Sequence, residues 1–349
     1  MKDVFSDANF PKTGDQRVYH LGIRTGDIAN RVITVGHPTR ARNIAKNFDG
    51  GLETTFKVES DRGFVTFTGR YNGVPVSVIA IGMGFANMDF MVREARECVQ
   101  GEMAIVRLGS CGGLLDVPVG SLAIPRASVA VTNNYDFDWQ QPKGPENSPY
   151  RISRPVDADA NLHAAIVAGV KDARPAAYGG TILDTPVNAS ADSFYSSQGR
   201  QTTFPDHNED LIESILKQVS GAATLEMETF QLMHLARRWS ELASIPAADA
   251  GLAKPSSFHP SHDAARVIAT DNADAPPSKP SPAPSSATQI RAAAVHMIFA
   301  SRLSQQMITP EVVVDLEEWS GLAVLQALSK FPLSNVQSDV GAVWEKTAP

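Results

Sequence analysis

The sequence predicts an α/β fold, a three-layer sandwich in which helices flank a central, mixed β-sheet. Short apolar runs of strand length alternate along the chain with longer segments whose apolar residues recur at helical spacing. The chain has 349 residues, of which 43% are hydrophobic, enough to bury the core of one large domain or two. Strands that alternate with helices favour a parallel or mixed sheet covered on both faces.

The predicted strands are runs of aliphatic and β-branched residues bounded by glycine or turn residues. Within 63–84, two such runs flank Asn72-Gly73, which is a strong signal for a β-hairpin. The run 103–110 leads into a predicted glycine-rich turn at 109–113. The predicted strands are 31–36, the two arms of 63–84, 103–110, 120–132 and 292–302.

The predicted helices each carry an apolar stripe. In 86–98 the apolar residues from Met88 to Ala95 follow the i, i+3, i+4, i+7 pattern, and Asn87 is the predicted N-cap. The predicted helices are 86–98, 157–173, 225–243 and 311–331.

Two segments depart from this alternation. Residues 1–18 are polar and are predicted to be a flexible N-terminal segment. Residues 246–288 are rich in Pro, Ser, Ala and Asp, a composition that buries too little apolar surface to offset the entropy of ordering. We therefore expect a single domain, 19–349, interrupted by a disordered insertion at about 246–288.

Composition narrows the class of protein. The formal net charge of -7 offers no overall attraction to nucleic acid or to an anionic membrane, so we expect neither as a partner. The two cysteines, Cys98 and Cys111, lie in apolar surroundings, which argues against a disulfide framework and fits a reducing cytosol. No secretory signal and no apolar run of membrane-spanning length is evident. The expected location is the cytoplasm.

Three predicted strands end in glycine-containing loops, at 36–40, 82–84 and 107–113. None of the loops follows the spacing of a dinucleotide-binding fingerprint or of a P-loop. The carboxyl ends of strands in an open α/β sheet converge on one crevice, so we expect the three loops to meet there. Two of them carry an arginine, Arg40 and Arg107.

Arg107 lies inside the apolar run VRLGSCGGLL, where an uncompensated guanidinium would cost several kcal/mol. It therefore requires a negative partner, either an internal carboxylate or a bound anion. Two guanidiniums, the Ser110 hydroxyl and the backbone N–H groups of the glycines would form a site for a small oxyanion. For Arg40, the alternative is a solvated position on an ordinary helix.

Five segments occur in the order found in the nucleoside phosphorylase-I family, and the sequence resembles this family, above all its uridine phosphorylases. The segments are HLGI at 20–23, GHPTR at 36–40, RLGSCGG at 107–113, FYSSQGR at 194–200 and LEMET at 225–229. The resemblance covers about 18–245 and resumes near 292–330. It implies a pentosyltransferase that converts uridine and phosphate reversibly into uracil and ribose 1-phosphate. It also implies a homodimer or hexamer whose sites are shared between subunits.

The resemblance also assigns roles to individual residues. The residues implied for phosphate are Gly36, Arg40, Arg107, Ser110 and, lent by the neighbouring subunit, Arg62. Those implied for ribose are Met227, Glu228 and, lent in the same way, His20. Those implied for the base are Phe194, Gln198, Arg200, Cys111, Gly112 and Arg302. Direct catalytic roles are implied for Arg107, Glu228 and Arg302.

These residue types suit the cleavage of an N-glycosidic bond by phosphate. Cleavage builds positive charge on the sugar and negative charge on the departing base, while a phosphate dianion attacks beneath the ring. Arginine forks position the dianion, and an amide and a guanidinium directed at the base stabilise its negative charge as it develops. No metal and no organic cofactor is expected, since phosphate is a co-substrate.

Some residues depart from the family's pattern and leave alternatives open. His37 stands where many relatives have Asp or Ser, and Gly63 stands where bacterial uridine phosphorylases place a glutamate that helps to hold a monovalent cation. A purine nucleoside phosphorylase is one alternative, although purine-cleaving relatives place an aspartate where this chain has Ser301-Arg302. A nucleosidase that uses water and a catalytically inactive nucleoside-binding protein are the others.

Overall fold

The computed structural model describes residues 5–138, 148–244 and 288–345, so the predicted insertion at 246–288 lies outside the described residues except for Thr288. Within the described ranges, a mixed sheet of 13 strands forms the centre of the molecule. Its strands are β3 (Arg31–Val35), β4 (Phe56–Glu59), β5 (Val65–Tyr71), β6 (Val74–Ala80), β7 (Met103–Gly113), β8 (Leu122–Ala123), β9 (Ala127–Asn133), β10 (Tyr150–Ile152), β11 (Val156–Asp157), β12 (Ile182–Leu183), β13 (Val187–Ala191), β14 (Ala222–Glu226) and β15 (Ile290–Ser301).

Helices cover both faces of the sheet. They are α1 (Pro38–Ala45), α2 (Phe85–Cys98), α3 (Ala160–Asp172), α4 (Leu211–Gln218), α5 (Thr229–Ser244) and α6 (Pro310–Lys330). One buried cluster joins α1, α3 and α6 to one face of β7, and a second joins α2 and α5 to the other face. The predicted three-layer α/β sandwich is therefore confirmed. In the parts of the chain that the structure describes, no helix combines the length and the apolar character that crossing a membrane requires.

β7 is the central strand of the sheet. β15 runs parallel to it along its whole length, from Ile290 opposite Met103 to Ser301 opposite Gly113. On the other edge of β7, β3 pairs with the first half in parallel and β14 pairs with the last two residues antiparallel. β6 is in turn parallel to β3. The carboxyl ends of β3, β6, β7 and β15 consequently lie at one edge, as expected for the glycine-containing loops.

Two predicted boundaries near this edge are wrong. Residues 109–113, predicted to be a turn, continue β7, because their backbone is paired with β15 and, at the last two positions, also with β14. The helix predicted over 225–243 begins only at Thr229, because the residues before it form β14 and a short turn. Both differences arise from strand pairing over long sequence distances, which outweighs local turn and helix signals.

The start of α2 also differs from the expectation. Gly84 is the N-cap, and Asn87, the predicted cap, instead donates from its side-chain amide to the Ile81 carbonyl at 2.7 Å. The predicted hairpin is confirmed, with β5 and β6 joined through Asn72 and Gly73 at φ of 50° and 77°. A positive φ at both central residues is what an Asn-Gly turn between twisted strands provides.

The described part of the N-terminal segment holds a separate antiparallel pair, β1 (Phe5–Ser6) and β2 (Lys12–Thr13). Lys12 lies 2.6 Å from a carboxylate oxygen of Glu97 on α2, and Val18 is buried. The flexibility expected for residues 1–18 stays a prediction.

Candidate active site

Arg107 and Glu228 form an ion pair inside the molecule. Nη2 of Arg107 lies 2.7 Å from Oε2 of Glu228, and each side chain is only 4% exposed. The other carboxylate oxygen, Oε1, accepts a hydrogen bond of 2.5 Å from the backbone N–H of Gly84. Of the two negative partners expected for Arg107, the internal carboxylate is thus present, and it belongs to a residue already implied in the site.

The ion pair leaves most of the Arg107 guanidinium unused. Its Nε and Nη1 are buried and have no hydrogen-bond acceptor among the described residues. Gly36 and Gly109 leave space beside the Arg107 guanidinium. A Cβ at residue 36 would lie 3.7 Å from Nη2 of Arg107, and a Cβ at residue 109 would lie 3.3 Å from its Nε. Buried N–H groups without an acceptor cost free energy, so this side of Arg107 is suited to an anion that enters from solution.

Arg40 reaches the same end of β7 from α1. Its Nε and Nη2 donate to Oε1 of Glu317 on α6 at 3.0 and 2.7 Å, and its Nη1 donates to the Leu108 carbonyl at 3.4 Å. Burial lowers the pKa of Arg40, Glu317 opposes this shift, and the positive charge of Arg107 adds to it. Arg40 is therefore a buried neighbour of Arg107, which excludes the alternative of a solvated helix position.

Two further residues near this end have different surroundings. The imidazole of His37 caps α1, its Nδ1 accepting from the backbone N–H of Thr39 at 3.2 Å. Capping is a structural role that Asp or Ser fills equally well at a helix start. Ser110 is exposed, and its hydroxyl has no hydrogen bond within the described ranges. Its role as a phosphate donor stays a prediction.

Glu226 holds the turn that carries Glu228. Its carboxylate accepts from the backbone N–H of Glu228 at 2.8 Å and of Thr229 at 3.1 Å. It also accepts from the Asn188 amide at 2.7 Å and from the Ser190 hydroxyl. Glu226 thus ends β14 and caps α5 from within the protein.

The protonation of Glu228 reflects competing surroundings. Burial raises the pKa of Glu228, and the negative charge of Glu226 acts in the same direction. Arg107 and the N–H of Gly84 oppose this shift because both bind the carboxylate form. Met227, between the two glutamates, is half-buried. The arrangement presents a carboxylate able to accept hydrogen bonds from hydroxyl groups.

A second group of predicted residues gathers around Arg302. The guanidinium of Arg200 lies 4.0 Å from the centroid of the Phe194 ring, and Nη2 of Arg302 donates to the Gly199 carbonyl at 3.1 Å. Burial lowers the pKa of Arg302, and the positive charge of Arg200 lowers it further. Gly112 leaves room for the Arg302 side chain, because a Cβ at residue 112 would lie only 3.3 Å from Cδ of Arg302.

This second group lacks negative charge. In the described part of the chain neither Arg200 nor Arg302 has a carboxylate partner, and Nη1 of Arg302 is buried without an acceptor. Gln198 is buried, and its side-chain amide makes no hydrogen bond to another described residue. The Phe194 side chain is 44% exposed. Burial raises the pKa of Cys111 well above its ordinary value, so its thiol is neutral. Such a group suits a planar ligand with electron-rich carbonyl oxygens.

His20 and Arg62 form a third group around Tyr19. The Arg62 guanidinium donates to the Tyr19 hydroxyl and lies 4.6 Å from the centroid of its ring. The His20 ring lies 4.9 Å from the same ring, and its Nδ1 is 2.6 Å from Oε1 of Glu94. Among the described residues, no hydrogen bond or ion pair links this group to Arg107. That a neighbouring subunit receives these two residues in its site stays a prediction.

Three contributors to the site were missed by sequence reasoning: Glu317, the backbone N–H of Gly84, and His296, which is buried next to the Arg107–Glu228 pair. Only Gly84 lies in a loop that the sequence singled out. Glu317 follows Arg40 by 277 residues, so no local motif could have connected them.

Comparison with known proteins places the chain in a family. Residues 30–248, more than half of the chain, match the family model described as the phosphorylase superfamily. The chain is 28% identical over 240 residues to a uridine phosphorylase of Thermococcus kodakarensis, covering 68% of this chain and 78% of that protein. It is 29% identical over 218 residues to a DeoD-type purine nucleoside phosphorylase of Streptococcus uberis, covering 62% of this chain and 78% of that protein.

Solved structures agree with this placement. A structure from work on two diverse uridine phosphorylases of the oomycete Phytophthora capsici superposes with a TM-score of 0.75 at 34% identity, covering 95% of this chain and 100% of that one. The structure of a Trypanosoma brucei nucleoside phosphorylase superposes with a TM-score of 0.67, covering 92% of this chain and 100% of that one. At 19% identity this likeness supports the fold alone. The chain therefore belongs to the phosphorylase superfamily. Within it, the chain is a member of the nucleoside phosphorylases, enzymes of the pentosyltransferase type.

Proposed function

We propose that the protein catalyses the reversible phosphorolysis of uridine to uracil and ribose 1-phosphate, a reaction of pyrimidine salvage in the cytoplasm. The observation that supports a pyrimidine most strongly is the group formed by Phe194, Arg200 and Arg302, in which two guanidiniums lie together without a carboxylate partner among the described residues. A uracil ring offers a face for the phenylalanine and carbonyl oxygens for the arginines.

The phosphate half of the reaction falls to Arg107 and Arg40. The unpaired Nε and Nη1 of Arg107 are the donors available to phosphate, and Ser110, Gly36 and a neighbouring subunit's Arg62 complete the proposed site. Each charged hydrogen bond is worth about 1.5–3 kcal/mol. Their task is to hold the dianion beneath the sugar, where its oxygen forms the new C–O bond without first losing a proton.

The base half stabilises the leaving group. As the C–N bond breaks, its electron pair moves onto uracil, and negative charge spreads to the carbonyl oxygens that Gln198, Arg200 and Arg302 would contact. These contacts strengthen as the charge develops, so they lower the barrier rather than merely bind substrate. Glu228 accepts hydrogen bonds from the ribose hydroxyls, with Met227 packed under the sugar and Cys111 and Gly112 beside the base.

The proposed enzyme is a homodimer or hexamer and works without a cofactor. A homodimer or hexamer would let one subunit lend His20 and Arg62 to the site of the next. Within one chain their contacts are with Tyr19 and Glu94. The reaction needs neither a metal ion nor an organic cofactor, so uridine turnover should survive dialysis against a chelator.

The test is an assay of free base with and without phosphate, using uridine, 2′-deoxyuridine, thymidine, inosine and adenosine. We expect phosphate-dependent release of uracil from uridine and little release from the purine nucleosides. Base release that does not need phosphate would instead identify a nucleosidase. Preference for inosine or adenosine would identify a purine enzyme, which the relative from Streptococcus uberis keeps as an alternative. Uridine binding without turnover at saturating phosphate would indicate an inactive binding protein.

A further inference from the structure

His296 is a buried imidazole beside the candidate active site, and the proposed reaction assigns it no part. It lies on β15, fully excluded from solvent, with Gly109 of β7 and Ala123 of β8 as its cross-strand neighbours. Side chains at paired positions of neighbouring strands share a face, and Gly109 is the residue over which the Arg107 guanidinium folds. His296 therefore lies on the side of the sheet where Arg107 meets Glu228.

The imidazole is neutral in these surroundings. Burial lowers the pKa of His296 to about 3, the positive charge of Arg107 contributes to the lowering, and Glu228 opposes it. A second cation at this position would compete with Arg107 for the carboxylate of Glu228. His296 thus adds an uncharged ring beside the Arg107–Glu228 ion pair.

The hydrogen bonds of His296 define which nitrogen carries the proton. Thr224 donates its hydroxyl hydrogen to Oδ1 of Asn188 at 2.9 Å, so its oxygen can only accept, and it lies 3.5 Å from Nδ1 of His296. The proton consequently belongs on Nδ1. Nε2 is then an acceptor, and it receives the hydroxyl hydrogen of Thr229 at 2.8 Å.

Thr229 connects this ring to the reacting residues. It is the first residue of α5 and directly follows Glu228. Its backbone N–H is held by Glu226, while its hydroxyl has the His296 ring as its hydrogen-bond partner among the described residues. The turn that carries Glu228 is therefore fixed on the backbone side by Glu226 and on the side-chain side by His296.

We propose that His296 is a positioning residue, which holds Thr229 and thereby keeps the Glu228 carboxylate where it can bind both Arg107 and the ribose hydroxyls. The inference rests on the proposed phosphorolysis, because ribose recognition by Glu228 is part of it. A ring in this place supplies what an aliphatic side chain cannot, an uncharged acceptor for a buried hydroxyl group.

The test compares His296→Gln with His296→Asn. Both replacements are neutral and polar, but glutamine places an amide near the position of Nε2 and can hold Thr229, whereas asparagine reaches only as far as Nδ1. We expect His296→Asn to raise the KM for uridine about tenfold and to lower kcat, as a displaced carboxylate would. The KM for phosphate should change by less than about threefold. His296→Gln should stay within about threefold of the wild type in all constants.

A second substrate separates positioning from loss of structure. 2′-Deoxyuridine lacks one of the ribose hydroxyls that Glu228 would bind. The substitution His296→Asn should therefore raise KM and lower kcat less with 2′-deoxyuridine than with uridine. The inference would be overturned if His296→Asn lowered kcat equally with both substrates at unchanged KM. It would also be overturned if His296→Gln were impaired as much as His296→Asn. The control is His163→Asn, which replaces a histidine of α3 whose Nε2 lies 3.0 Å from the Ile124 carbonyl oxygen. This variant should behave like the wild type.

The wild type measured in the same assay distinguishes the two proposals. If it releases no uracil from uridine with phosphate, the proposed function fails and the inference falls with it. If it is active and His296→Asn matches it in every constant, only the inference fails. Circular dichroism of each variant confirms that the compared proteins are folded.

Discussion

At the scale of single residues, the ion pair of Arg107 and Glu228 raises a question of free energy. Removing two charges from water costs several kcal/mol per ion, and an apolar pair of similar volume is often as stable. The pair is nevertheless buried, with only one Arg107 nitrogen bonded to the carboxylate. Its retention is understandable if the remaining nitrogens serve a ligand, because an apolar pair could not.

The first prediction concerns this pair. Arg107→Met should lower the free energy of unfolding by about 3–5 kcal/mol, because it leaves the Glu228 carboxylate buried without its cation. Urea unfolding of the phosphate-free protein measures the loss. The control is Arg151→Met, which breaks an exposed pair with Asp136 and should cost no more than about 1 kcal/mol. Equal losses in the two variants would mean that the buried pair contributes nothing specific.

The residue scale also shows what the sequence could and could not predict. The position of Arg107 in an apolar run was enough to require a negative partner. The identity of that partner was not predictable from the residues, since Glu228 follows 121 residues later and only the tertiary structure brings the two together. The same holds for His296, whose surroundings are wholly tertiary.

At the scale of elements, β7 organises both halves of the site through its glycines. Gly109 lies under the Arg107 guanidinium and Gly112 under the stem of Arg302. The sequence predicted a turn with free N–H groups here, and the structure shows a paired strand. The glycines are therefore needed less for backbone conformation than for the space that two arginines occupy above the strand.

This arrangement predicts that two substitutions in one strand separate the two substrates. A Cβ at residue 109 would lie 3.3 Å from Nε of Arg107, and a Cβ at residue 112 would lie 3.3 Å from Cδ of Arg302. Gly109→Ala should raise the KM for phosphate, and Gly112→Ala the KM for uridine, each about 3- to 10-fold because the arginine must shift. Steady-state kinetics with each substrate varied in turn will measure both.

The matched control for these variants is Gly179→Ala, where a Cβ would have no neighbour within 4 Å. It should leave both constants unchanged. The same rise in both constants for Gly109→Ala and Gly112→Ala would contradict the division of β7 into a phosphate half and a base half.

At the scale of the whole molecule, the proposed function assigns His20 and Arg62 to the site of a neighbouring chain. Mixing Arg62→Ala with Glu228→Gln, each expected to be nearly inactive, should restore activity when subunits exchange. In a mixed dimer one site receives intact residues from both chains and the other receives neither, so an equal mixture should recover about a quarter of wild-type activity. Uracil release after co-refolding of the two variants is the measurement. No recovery above the separate variants would contradict shared sites.

Stability against acid is a second property of the whole molecule. In the folded protein His296 stays neutral down to its pKa of about 3, whereas in the unfolded chain it binds a proton below 6.5. Between these values the unfolded state holds the extra proton, so the free energy of unfolding falls as the pH falls. The slope is about 1.4 kcal/mol per pH unit, which amounts to about 2 kcal/mol between pH 6.5 and about 5.

His296→Gln removes this proton uptake and leaves the other titrating groups in place. The wild type should therefore lose about 2 kcal/mol more than the variant over that interval, as measured by urea unfolding at the two pH values. Parallel losses in both proteins would show that the imidazole is not held neutral by its surroundings.

The sequence by itself determined the layers of this protein and the chemical types in its site. Apolar periodicity is a local pattern, and burial of those residues contributes in proportion to area, so strands, helices and the sandwich could be predicted from it. It also determined that a guanidinium in an apolar run needs negative charge. The resemblance to the family supplied the remaining candidate site residues, Arg62 and Arg302 from outside the five segments.

Only the tertiary structure decided which of these groups meet. Arg107 pairs with Glu228, Arg40 with Glu317, and Arg302 lies over Gly112, all across long stretches of sequence. Charge pairing and close packing fall off within a few ångströms, so they depend on which strand ends the sheet brings to one edge. That topology is a property of the whole chain, and no local segment encodes it.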